Sequence, residues 1–105
     1  SKNDDFKYLL NGKKISNKYL TIFFRRLTDK DNNKLNISFV TKKKIGNAVI
    51  RNKIKRRLRN IMNESVKNIK LNLNYSYLII AKKTIFEDSY GKIKEILFAD
   101  FKKIK

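Results

Sequence analysis

Between Asn47 and Ile69 the residues Ile50, Ile54, Leu58, Ile61 and Ile69 recur close to the helical period, with Met62 and Val66 filling the same stripe. This spacing predicts one long amphipathic helix, capped at Asn47 and ending near Leu71 to Asn74. Such a helix cannot bury its own stripe, so the rest of the chain must supply a covering surface. With 105 residues, one domain is expected over 1–105, because smaller pieces could not build separate cores.

The flanking segments predict that cover. Tyr19 to Leu27 is rich in aromatic and β-branched residues and reads as a strand. Leu35 to Thr41 reads as a second, with Leu35, Ile37 and Phe39 on one face. The polar cluster from Thr28 to Asn33 between them is a turn signal, so the two strands are expected to pair as a hairpin. Tyr77 to Ala81 is a short apolar run suited to a buried strand. A last helix is expected from Asp88, with Ile93, Ile96, Leu97, Phe101 and Ile104 facing inward. At the other end, Asp4-Asp5 ahead of Phe6 suits a helix start, with Phe6, Leu9 and Leu10 on one face and Gly12 closing it. The order αββαβα implies an α+β domain, one sheet layer with helices packed against it.

Charge narrows the partner. There are 27 Lys and Arg against 9 Asp and Glu, a net charge of +18 that repels itself unless a polyanion is the usual neighbour. The cations are also concentrated, since ten of them and no acid lie between Asp31 and Glu64. Cys and His are absent, which removes disulfides, thiol or imidazole catalysis and the common zinc sites. No apolar stretch approaches the ~20 residues of a membrane span, and no leader pattern is visible, so the cytoplasm is the expected compartment.

Within the predicted helix Arg51, Lys55 and Arg59 are spaced by four and rise from one face, apart from the apolar stripe. Lys53, Arg56 and Arg57 flank or extend the basic side. Like charges four apart destabilise an isolated helix by roughly 0.2–0.5 kcal/mol per pair, and a phosphate backbone laid across them reverses that sign. A merely solvated helix mixes charges of both signs, which this one does not. Gly46 has no second glycine and no Lys-Ser/Thr pair at phosphate-loop spacing, so it reads as a turn residue.

The run Lys43-Lys44-Ile45-Gly46-Asn47-Ala48-Val49-Ile50-Arg51-Asn52-Lys53-Ile54-Lys55-Arg56-Arg57-Leu58-Arg59 closely resembles the signature segment of the bacterial ribonuclease P protein family. Asn3-Asp4-Asp5-Phe6 resembles the start of that family's first helix, and Tyr77-Leu78-Ile79-Ile80-Ala81 its last strand. The resemblance implies a single-domain α+β sandwich of a four-stranded sheet with three helices. It also implies a left-handed βαβ crossover, as in the second domain of ribosomal protein S5. The fourth strand is then expected near Lys13 to Asn17 or around Thr41 to Lys44.

The resemblance further implies a protein subunit that binds a catalytic RNA and the 5′ leader of precursor tRNA, assisting Mg²⁺-dependent removal of the leader. The RNA contacts carried over by position are Lys43, Lys44, Asn47, Arg51, Asn52, Lys53, Lys55, Arg56 and Arg59, and the leader cleft takes Phe6 and Phe23. At Lys53 the family motif usually has Arg, so forked hydrogen bonding is lost there while charge is kept. The Mg²⁺ ions are implied to sit chiefly on the RNA, and no obligatory protein partner or membrane is expected. Two other readings fit parts of the chain. A structural RNA-binding protein explains charge and size but not the signature, and a self-sufficient nuclease needs a carboxylate cluster that nine scattered acids do not provide.

Overall fold

The structure, a computed structural model, describes residues 10–26 and 36–104, apart from the side chain of residue 86. Strand β1 (Lys13–Ser16) turns tightly into β2 (Leu20–Arg26). Strand β3 (Asn36–Val40) leads through a 3₁₀ turn (Lys43–Ile45) into helix α1 (Ala48–Asn68). Then come β4 (Tyr75–Ala81), a second 3₁₀ turn (Lys83–Phe86) and helix α2 (Tyr90–Phe101).

The four strands make one mixed sheet in the order β1-β2-β4-β3, with β3 parallel to β4 and the other pairs antiparallel. The fourth strand is therefore β1, while the Thr41 to Lys44 region becomes an extended link and the first 3₁₀ turn. The expected hairpin of β2 with β3 does not form, because β4 lies between them. The reason lies in composition: β4, Tyr-Ser-Tyr-Leu-Ile-Ile-Ala, is apolar on both faces and takes the doubly covered central position. Leu78 is 1% exposed on one face and Tyr77 and Ile79 are fully buried on the other.

The main core lies on one face of the sheet. Leu20, Ile22 and Phe24 of β2 and Tyr77, Ile79 and Ala81 of β4 meet Ile54, Leu58, Ile61 and Met62 of α1. Ile93, Leu97 and Phe101 of α2 complete it, with Ile104 beyond, and Tyr77 packs edge-on to Phe101 at 6.3 Å. Burying such side chains contributes about 1.5–3 kcal/mol each. The helix ends differ slightly from expectation: α1 stops at Asn68, where Lys70 adopts a φ of 53°, and α2 starts after a Ser89 cap. The helix start at Asp4-Asp5 with Phe6 and Leu9, and the turn cluster from Thr28 to Asn33, lie outside the described residues.

The hand of the β3–α1–β4 crossover follows from one hydrogen bond. Lys82 N donates to Tyr19 O, so the even-numbered residues of β4 bond toward β2 and the odd-numbered ones toward β3. The odd-numbered side chains point at the helices. For L-residues in a strand running upward, a side chain aimed at the viewer goes with N–H and C=O pointing right. Viewed from the helix side, β3 therefore lies to the right of β4, and the chain crosses in front from right to left. The crossover is left-handed, against the usual rule.

Candidate nucleic-acid interface

Helix α1 begins where Asn47 leaves extended backbone; its side chain accepts from Ile50 N at 3.0 Å and its carbonyl from Arg51 N at 3.0 Å. Its apolar stripe (Ile54, Leu58, Ile61, Met62, with Ser65) is buried, which forces the cations outward. Arg51 and Lys55 are half-buried and Arg59 is exposed, and together they form the flank of α1 beside β3. The Arg59 guanidinium sits 5.7 Å from the centre of the Phe39 ring, a cation–π contact that fixes this flank against the strand. Lys53 and Arg57, about 100° per residue further round, lie on the opposite flank, where Arg57 borders Tyr90 of α2. Asn52 and Arg56 are exposed on the outer side between the flanks. So the structure brings Arg51, Lys55 and Arg59 together but turns Lys53 away from them.

A second basic feature lies on the sheet face opposite the helices. Register places Phe23 between Lys14 of β1 and Leu78 of β4. The half-buried Phe23 ring forms part of an open groove of about 580 Å³, with Thr21 and Ile80 beside it and Lys14, Lys42, Lys44, Lys82 and Lys83 around it. Lys44 thus belongs to this groove, and Lys43 stands exposed next to it on the 3₁₀ turn. Phe6, the other aromatic expected here, lies outside the described residues. Sequence reasoning missed Lys14, Lys42, Lys82 and Lys83, which only the strand order and register assemble. The doublet Lys82-Lys83 directly after an apolar strand was the one available signal.

The described acids sit elsewhere. Among the described residues the ion pairs are Lys18–Glu87 (3.4 Å), Lys18–Asp88 (3.7 Å), Lys92–Asp88 (3.8 Å), Lys94–Glu64 (2.9 Å) and Lys103–Asp100 (3.4 Å). All of them lie on α2, the turns beside it, or the part of α1 facing it. Pairs made by exposed lysines add little stability, but among the described residues they gather the negative charge at one end, away from the groove and the outer flank of α1. The Tyr19 hydroxyl donates to Asp88 and holds its carboxyl below the ordinary range against the effect of burial, assisted by Lys92 and Lys18. The same bond, with burial, pushes Tyr19 up to about 12. Among the described residues no three acidic groups converge to hold a metal ion, and no helix is long and apolar enough to cross a membrane.

A basic helix flank and an aromatic groove ringed by lysines thus stand on opposite sides of the sheet. Known proteins match the chain in sequence and in fold. The family model described as Ribonuclease P matches residues 1–105. The ribonuclease P protein component of Mycoplasma capricolum is 33% identical over 105 residues, covering 99% of this chain and 93% of its own length. Among solved structures, the RNase P protein from Thermotoga maritima superposes with a TM-score of 0.79 at 26% identity, covering 100% of this chain and 96% of its own. The Staphylococcus aureus RNase P protein gives 0.77 at 28% identity, covering 100% and 93%. Matched over its whole length in sequence and in fold, the chain belongs to the bacterial ribonuclease P protein family.

Proposed function

We propose that this member of the family divides its RNA contacts between two surfaces: the groove around Phe23 takes the single-stranded 5′ leader of precursor tRNA, and α1 takes the catalytic RNA. The observation that carries the reading is the groove itself, one half-buried aromatic ring framed by five lysines. The ring offers a stacking platform worth about 1–3 kcal/mol per base whatever the sequence, and the lysines meet the backbone phosphates. On α1, Arg51, Lys55 and Arg59 form the main contact. Lys43, Asn52, Lys53 and Arg56 reach further RNA around them, and Lys44 serves the groove. Asn47 acts chiefly by starting the helix at the right place, since its side-chain oxygen is already committed to Ile50 N. Phe6 remains proposed as a second cleft aromatic on the strength of the resemblance alone.

The bond broken is the phosphodiester between leader and tRNA, and no side chain described here is suited to break it. Glu64, Asp88 and Asp100 are each tied to lysines, and Asp88 and Asp100 also to Tyr19 and Asn17, so these carboxylates do not fit a metal centre. Mg²⁺ is assigned to the RNA, and the protein's part is to offset repulsion between two RNAs and hold the leader in place. The expected compartment is the cytoplasm, where precursor tRNA is made. Reconstitution tests the reading: with bacterial ribonuclease P RNA at low Mg²⁺, the protein should raise precursor cleavage, and an unchanged rate would overturn it. Cleavage by the protein with no RNA subunit would favour a self-sufficient nuclease instead.

A further inference from the structure

Strand β1 carries Lys14 into the groove. It is a four-residue edge strand paired to β2, and among the described residues Ile15 is its one side chain packed on the core. Its position is set at its carboxyl end, by polar bonds. Asn17 Oδ1 accepts from Tyr19 N at 2.7 Å and Leu20 N at 3.0 Å, closing the β1–β2 turn. Asn17 Nδ2 donates to Asp100 Oδ2 at 2.7 Å, reaching across to the last turn of α2. Lys82 Nζ, from the far wall of the groove, donates to Ser16 Oγ at 2.8 Å and to Asn17 O at 2.6 Å. Asp100 is only 6% exposed, a buried carboxylate on a helix whose other inward residues are apolar. Burying it is costly unless its bonds are kept.

From these contacts we infer that Asp100 is a positioning residue for the leader groove: through Asn17 it anchors the β1–β2 turn, and so sets where Lys14 stands relative to Phe23 and Lys82. The inference rests on the groove being the leader site. Asp100 itself touches no groove atom. It acts by supplying an acceptor, not a charge, because its charge lies at the neutralised end of the molecule beside Lys103.

The test uses the holoenzyme reconstituted with bacterial ribonuclease P RNA. The measured quantity is the leader contribution, the ratio of affinities for precursor tRNA and for mature tRNA. Asp100→Ala deletes the acceptor and should cut this ratio about three- to ten-fold, the size of effect carried by packed polar networks. Affinity for mature tRNA should stay unchanged. Asp100→Asn loses the charge but keeps an acceptor oxygen, and it should retain the ratio within about two-fold. Should Asp100→Ala not fold, Asn17→Asp keeps an oxygen to accept from Tyr19 N and Leu20 N but removes the Nδ2 donor to Asp100, and should give at least the same loss. Equal losses in Asp100→Ala and Asp100→Asn would overturn the inference, because charge and not the bond would then matter. An unchanged ratio in Asp100→Ala, with a clear loss in Lys14→Ala and Lys83→Ala, would overturn positioning and keep the groove. No loss in the two lysine variants either would overturn the groove as the leader site, and positioning with it.

Discussion

Single residues show how local chemistry sets the site. Gly46 precedes the Asn47 cap, and its φ of 163° is extended backbone open to any residue, so the need there is for space. A Cβ at this position would stand 2.9 Å from Cγ2 of Ile50. Gly46→Ala should therefore push Ile50 out of its packing and cost about 1–3 kcal/mol by urea denaturation, as overpacking does. Lys70 presents the opposite case, a φ of 53° in a residue with a Cβ. Lys70→Gly should raise stability by about 0.5 kcal/mol, the left-handed cost relieved less the freedom returned to the unfolded chain. The Tyr19–Asp88 bond predicts a response to pH at both extremes. Asp88 has its folded pKa below the unfolded one, so its contribution is complete above the unfolded value and is lost as pH falls through the folded one. Tyr19 is raised from 10.0 to about 12, so its contribution is complete below 10.0 and is lost as pH climbs toward 12. Denaturation curves of Tyr19→Phe against the parent should differ most near neutrality and converge at both ends; a constant gap would mean that the bond contributes nothing.

At the scale of elements, what could be read from sequence was what repeats. The stripe of α1, its Asn47 cap, the apolar run of β4 and the inward face of α2 each carry enough periodic residues to declare themselves, and all stand where they were expected. Strand β1 has one partly buried apolar residue in four, so no alternation shows, and only the resemblance implied a fourth strand near it. Strand order was illegible for a different reason. A polar cluster between two strands says that the chain turns, not what inserts between them, and β4 arrives from 35 residues beyond β3 to do so. The groove lysines were lost with the order, since Lys14, Lys42 and Lys82 become neighbours only through pairing. The α1 flank gives the prediction at this scale. Replacing Arg51, Lys55 and Arg59 together by Gln should lower the salt slope of RNA binding by up to about three units. The stability of the free protein should change little, because relief of two like-charged pairs at about 0.2–0.5 kcal/mol each offsets the lost Arg59–Phe39 contact, about 0.5–1 kcal/mol. Weaker binding at unchanged stability would identify a face shaped by its partner; a large loss in both would mean that the flank serves the fold.

For the whole molecule the dominant fact is a charge of +18, and among the described residues the ion pairs that offset it gather at one end. The folded state holds these cations closer together than the unfolded chain does, so a bound polyanion should stabilise it. A short single-stranded RNA at a hundred times its Kd should add at most about 2.7 kcal/mol, less whatever the cationic unfolded chain binds, and raise Tm, whereas a neutral osmolyte acting only by exclusion should not reproduce the salt sensitivity of that gain. The sheet that carries this charge is assembled out of chain order. Strand β4, one of its two inner strands, is the last of the four to be synthesised, and β2 and β3 are joined in the sheet only once it arrives between them. On the ribosome, then, a nascent chain that has already exposed the basic helix cannot close its sheet until Ala81 has left the exit tunnel. For that interval the basic helix has no closed sheet to pack on, so the chain is at its most exposed just before its last strand arrives.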